Sequence, residues 1–232
     1  MIWEVDIITA LVIGAATSVL AIFIQQVLRK PVLTLKPDKD WYDPKFSAHY
    51  VHVRVNVPRR LRLFLPRPAY EAHSQLKVVC CDGPARPGES LPGTFETKWA
   101  RNPVDLYGRN PPTLRRLDIY PGVQDGGRAG AQLDIAVKGD LQSPEKGAMM
   151  QRKNDTTVLI HDPQLFFDGV TRRNCTLREG LFYAGVSVHH TEGLSKEVFL
   201  LANNGTSPGG LSLNEADLAS QQKRELYKRW GW

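Results

Sequence analysis

Two histidine pairs, an adjacent pair of cysteines and one serine near a histidine are the groups whose types and spacing invite chemistry. His49 and His52 lie three apart in an alternating run, with Val51, Val53, Val55 and Val57 interleaved by Tyr50, His52, Arg54 and Asn56. In a strand, positions three apart point to opposite faces, so the two imidazoles do not converge on one metal ion. His189 and His190 are adjacent and diverge for the same reason. Cys80 and Cys81 alternate likewise, which fits one core thiol and one exposed thiol better than a zinc pair. Gly185-Val186-Ser187-Val188-His189 puts a nucleophile two residues from a base, yet it lacks the second glycine of a nucleophile elbow and reads as strand. Acids are scattered, with no obvious pair. Cys-x-x-Cys, His-Glu-x-x-His, Walker A and Gly-x-Gly-x-x-Gly patterns are absent. The sequence therefore predicts a non-enzymatic protein with no catalytic residue, no cofactor and no metal ligand.

The elements that carry these groups follow from composition and charge. The chain has 232 residues, 42% of them apolar, enough for one globular domain with an appendage. Charged residues at 23% and aromatics at 9% exclude a wholly disordered chain. Three cysteines exclude a disulfide framework and suit a reducing compartment. Thirty Lys+Arg against 24 Asp+Glu give a formal charge of +6.

Residues 7–28 carry no formal charge. At 1.5 Å per residue they make a helix of roughly 33 Å, enough for a hydrocarbon core of about 30 Å. Asp6 closes the stretch on one side and Arg29-Lys30 on the other, with Pro31 ending the helix. The acidic flank (Glu4, Asp6) and the basic pair after the stretch argue for an uncleaved anchor rather than a signal peptide. With no Lys or Arg before it and two directly after it, the positive-inside rule puts the N-terminus outside and residues 31–232 in the cytoplasm, across an inner (cytoplasmic) membrane. Ala10, Gly14, Ser18 and Ala21 make a small-residue face against which another transmembrane helix can pack.

After the anchor the periodicity changes to two. Short apolar runs at 32–35, 51–57, 76–81, 95–99, 114–120, 133–137, 158–160, 182–188 and 198–202 are separated by turn signals. Seven to nine strands with no long helix between them predict an antiparallel sandwich over residues 31–210. The run Leu177-x-x-Gly180-x-Phe182-x-Ala184-x-Val186-x-Val188 follows the E–F corner of immunoglobulin-like sandwiches, with Phe182 at the position usually held by the capping tyrosine. Residues 82–130 hold seven prolines and eight glycines and predict long ordered loops. Residues 211–232 predict a basic amphipathic helix, capped by Ser212 or Asn214 and ending in Trp230 and Trp232 as terminal anchors.

Charge in the β-domain is clustered. Between Pro58 and Arg67 there are four arginines, no acid and four large apolar residues. Arg59, Arg60, Arg62 and Phe64 are the expected docking residues for anionic lipid headgroups or a membrane partner, at about 1 kcal/mol per nearby base. No RRM, KH or helix-turn-helix signal accompanies the charge, so nucleic acid is not an expected partner.

Arg29-Lys30-Pro31-Val32-Leu33-Thr34-Leu35, Leu91-Pro92-Gly93, Asp118-Ile119-Tyr120-Pro121-Gly122 and Leu133-Asp134-Ile135-Ala136-Val137 together resemble a group of prokaryotic single-pass membrane proteins with a cytoplasmic immunoglobulin-like β-sandwich. The resemblance implies a bacterial or archaeal origin and a tethered sandwich, and it transfers no site. The expected function is that of an accessory subunit. Its helix packs against other transmembrane proteins, and its β-domain braces the cytoplasmic face of a larger complex; by analogy that complex is photosynthetic or respiratory. The alternative is a membrane-tethered sensor or defence module whose β-domain binds a ligand or protein signal.

Overall fold

The computed structural model describes residues 2–28, 30–44, 48–58, 67–82, 94–99, 116–122, 124–125, 128–139, 157–159, 177–205 and 208–232. It opens with helix α1 (Ile2–Phe23), continued by a π turn over Ile24–Leu28. Helical structure stops just before the Lys30-Pro31 step, as the φ restriction and missing N–H of proline require.

The strands follow in order: β1 (Thr34–Pro37), β2 (Trp41–Asp43), β3 (Ala48–Asn56), β4 (Ala69–Asp82), β5 (Phe95–Glu96), β6 (Lys98–Trp99) and β7 (Leu117–Ile119). Next come β8 (Gln124–Asp125), β9 (Arg128–Ala129), β10 (Ala131–Gly139), β11 (Thr157–Leu159), β12 (Gly180–His190), β13 (Gly193–Asn203) and β14 (Leu211–Glu215). Helix α2 (Ser220–Arg229) closes the chain. One sheet runs β1-β3-β10-β11, with β2 on β3 and β6 on β10; a second runs β14-β13-β12-β4-β5, with β7 on β4; β8 and β9 form a two-stranded ribbon. Every pairing is antiparallel. The protein is thus mainly β, with two helices among the described residues.

Alternation makes the core. Val51, Val53 and Val55 on the first sheet face Leu76, Val78, Ala184, Val186, Val188, Phe199 and Leu201 on the second, all fully or almost fully buried in one cluster. Phe182 joins that cluster, whereas Tyr183 lies on the outer face of its sheet. The chain changes sheets within the expected strand 95–99. Phe95 pairs with Leu76 and Trp99 with Leu133, while buried Thr97 at the crossover bonds Ser74.

Three expectations are revised: the transmembrane helix gains no support, and two others are corrected. Among the described residues no helix is long and apolar enough to cross a membrane. Glu4 and Asp6 lie within α1, so its charge-free part runs from Ile7 to Phe23, about 26 Å at 1.5 Å per residue, and a π turn replaces regular helix over the rest of the expected span 7–28. Second, the helix expected from Leu211 begins only at Ser220. Leu211 and Leu213 alternate inward and pair with Asn203 and Leu201, so 211–215 is an edge strand. The cap is therefore neither Ser212 nor Asn214; the side-chain oxygen of Gln222 accepts from the Ala219 N–H at 2.9 Å. Third, β10 is not a simple alternation. Asp134 pairs with His52 and Ala136 with Val51, which leaves Ile135 as a bulge and turns Lys138 inward in place of Val137.

Candidate functional site

The described side chains of α1 are uncharged and exposed on every face of the helix from Ile7 to Phe23. The nine large apolar ones among them are between 54% and 68% exposed. Each forgoes part of the roughly 1.5–3 kcal/mol that full burial would contribute. The small-residue positions Ala10, Gly14, Ser18 and Ala21 share this exposure, and a Cβ placed on Gly14 would meet nothing. The hydroxyls of the helix are turned back on it. Ser18 Oγ donates to the Gly14 carbonyl at 2.8 Å, and Thr17 Oγ1 reaches the Ile13 and Gly14 carbonyls at 3.0 Å. Such back-bonding satisfies each hydroxyl within the helix itself.

The helix feeds into one end of the sandwich, and contacts across that end are continuous. Lys30 lies beside His190 and Gly193, in the turn between β12 and β13. The Leu33 N–H donates to Ser195 Oγ at 3.3 Å. The Thr191 N–H donates to the Tyr70 carbonyl at 3.1 Å, and Arg67 reaches Glu192 at 3.5 Å. Tyr70 meets Tyr120 edge to face at 6.5 Å. Arg59, Arg60, Arg62 and Phe64 lie outside the described residues. The flanks of that segment are at this same end: Asn56 pairs with Thr34 at the start of β1, and Arg67 touches the β12–β13 turn.

Trp230 and Trp232 depart from expectation. Trp230 is buried with Val79, Val198 and Ala216 on the outer face of the second sheet, against Gly185, so it fixes the tail to the domain rather than offering an external anchor. Trp232 is half-buried beside it, 5.3 Å between ring centroids, with the Lys77 ammonium over its ring at 5.6 Å. Lys77 also donates to the Trp230 carbonyl. Lys196 sits over the Tyr227 ring at 4.4 Å and Lys223 pairs with Glu197 at 2.7 Å. Burial, with Glu197 adding to it, pushes the Tyr227 phenol up to about 12.

Register creates pairs that spacing does not announce. His52 Nδ1 and Asp134 Oδ1, directly opposed across β3 and β10, lie 2.8 Å apart, both side chains buried. Arg54 and Asp38 follow at 2.5 Å. His73 and His189, opposed across β4 and β12, stack at 5.1 Å. Ser187 Oγ is 3.4 Å from His189 Nε2, but Ser187 is fully buried and no substrate can reach it. Cys80 is buried and Cys81 half-buried. Among the described residues no group of three His, Cys, Asp or Glu could hold a metal ion. A cleft of about 320 Å³ lies between β1 and the β13–β14–α2 edge, rimmed by Lys36, Lys196, Lys223, Glu197 and Glu215 over Leu33 and Val198.

No protein-family model matches the chain, and no curated protein or solved structure matches it significantly.

Proposed function

We propose that the chain is a membrane-anchored accessory subunit without enzymatic activity, held by α1 and bracing the cytoplasmic face of a larger membrane assembly through its β-domain. One observation carries this reading: a helix whose described side chains are uncharged throughout and exposed on all sides. A helix apolar all round is stable inside a protein core or inside lipid, and nothing in the described fold covers this one. About 26 Å of α1 is charge-free, from Ile7 to Phe23, and the π turn carries the charge-free run on to Leu28. Lys30 follows directly, which favours an N-out, C-in orientation.

In this reading Ala10, Gly14, Ser18 and Ala21 form the face that meets other transmembrane helices. Arg59, Arg60, Arg62 and Phe64, whose flanking residues come to the helix-entry end, act on anionic headgroups or an acidic partner surface. Extraction in mild detergent followed by size exclusion should find the full chain in a large assembly, and Gly14→Leu should release it. Co-purification unchanged by Gly14→Leu would remove the packing face from the account. A tethered sensor is the second reading, favoured by the cleft between β1 and α2, which reaches the lower end of ligand-pocket sizes. Migration of the extracted chain as monomer or dimer would favour it.

A further inference from the structure

We propose that the helix-entry end of the sandwich is itself a bilayer-contact surface, seated in the headgroup layer by Val32, Leu194, Tyr70 and Tyr120. This inference rests on the reading of α1 as a membrane anchor, and it adds a second, folded surface that the anchor brings to the lipid.

The tether fixes the occupant. Val32 lies four residues beyond Leu28, so the chain holds it within about 14 Å of the helical end. The headgroup layer is itself roughly 5–8 Å deep on each side. From Val32 the surface runs on without a break. Leu33 bonds Ser195, next to Leu194; Thr191 bonds Tyr70; Tyr70 meets Tyr120. These four side chains are between 39% and 46% exposed. Beyond α1 and the π turn, the other large apolar side chains this exposed among the described residues are Trp41 and Tyr42. Both pair with the start of β3, at the far end. Trp41 is opposite Tyr50, six residues or about 20 Å along the strand from Asn56. The exposed apolar residues are therefore gathered where the helix enters, not scattered.

Their chemistry matches a water–lipid boundary. A tyrosine keeps its ring in an apolar layer and its hydroxyl in water, and two of the four are tyrosines. Charge among the described residues at this end is matched. Arg67 pairs with Glu192, Arg116 pairs with Glu71 at 3.2 Å, and the Glu71 N–H donates to Asp118. Lys30 and Asp118 add one charge of each sign, so these residues carry no excess base. Contact through these residues therefore depends on the interfacial layer and little on lipid charge, unlike contact through the arginines of 59–62.

The test places a fluorescent amino acid, by suppression of a stop codon, at Ile13, Leu194 or Trp41 of the full chain in nanodiscs. Discs are made of phosphatidylcholine alone or with phosphatidylglycerol, and carry nitroxide lipids labelled in the acyl chain or the headgroup. The expected result is strong acyl-chain quenching at Ile13. Headgroup quenching should be several-fold greater at Leu194 than at Trp41, in both lipid mixtures, and should fall when Tyr70→Ser and Tyr120→Ser are combined. Quenching at Ile13 with Leu194 no different from Trp41 overturns this surface and leaves the anchor standing. Quenching at Leu194 only with phosphatidylglycerol overturns the interfacial mechanism in favour of charge. No quenching at Ile13 overturns the anchor itself.

Discussion

Lys138 is fully buried, and its ammonium donates to Asn203 Oδ1 (2.7 Å) and to the carbonyls of Asn204 (3.1 Å) and Gly205 (2.5 Å). Asn203 in turn donates to the carbonyls of Leu177 and Arg178. One lysine from the first sheet thus closes the end of the second. Burial pulls its pKa below the usual lysine range, partly opposed by Glu179. Lys138→Met keeps the bulk and leaves the buried Asn203 Oδ1 and two part-buried carbonyls without their donor, so the urea midpoint should fall by an amount worth roughly 1–3 kcal/mol. An unchanged midpoint would contradict the role. His189 and His190 titrate below the ordinary imidazole value. Burial is the main cause for both; His73 adds to it at His189, while at His190 Glu192 opposes it and Lys30 and His189 add to it. Below about pH 6.5 the unfolded chain takes up these protons before the folded one, so stability should fall on acidification from there and be flat above it on their account. His189→Gln should lessen the loss of urea midpoint between about pH 7.5 and pH 5; an identical slope would exclude His189 as a source. Of these residues the sequence makes only the divergence of His189 from His190 legible. The His73–His189 and His52–Asp134 pairs depend on register between distant strands, and Lys138 turns inward only because Ile135 bulges.

At the scale of elements, α2 is seated by a gap in β12. Gly185 leaves the space that the Trp230 ring fills, and a Cβ there would come within 2.3 Å of the ring edge. Gly185→Val should lift the tail from the sheet at a cost of about 1–3 kcal/mol and speed proteolysis from the C-terminus. Proteolysis at the parent rate would mean that Trp230 does not hold the tail. The strands themselves were largely legible, since Val51 to Val57 and Phe182 to Val188 alternate without a break. The tail was less so. The acids Glu215 and Asp217 suit a helix start, but Leu211 and Leu213 find an unpaired edge on β13, and tertiary pairing outweighs local preference.

At the scale of the molecule, two antiparallel sheets share one core while an apolar helix stands outside it. The charge-free run and the change of period after Pro31 could be read directly. Which end of the sandwich receives the helix could not, because it follows from the pairing of Thr34 with Asn56 and from the β12–β13 turn beside Lys30. That placement gathers the exposed tyrosines, Leu194 and both flanks of the arginine-rich segment at one end. The account depends on lipid covering α1. Its most direct test is alkaline carbonate extraction of membranes from cells expressing the full chain. The protein should remain in the sedimented membranes; its release into the supernatant would contradict the anchor.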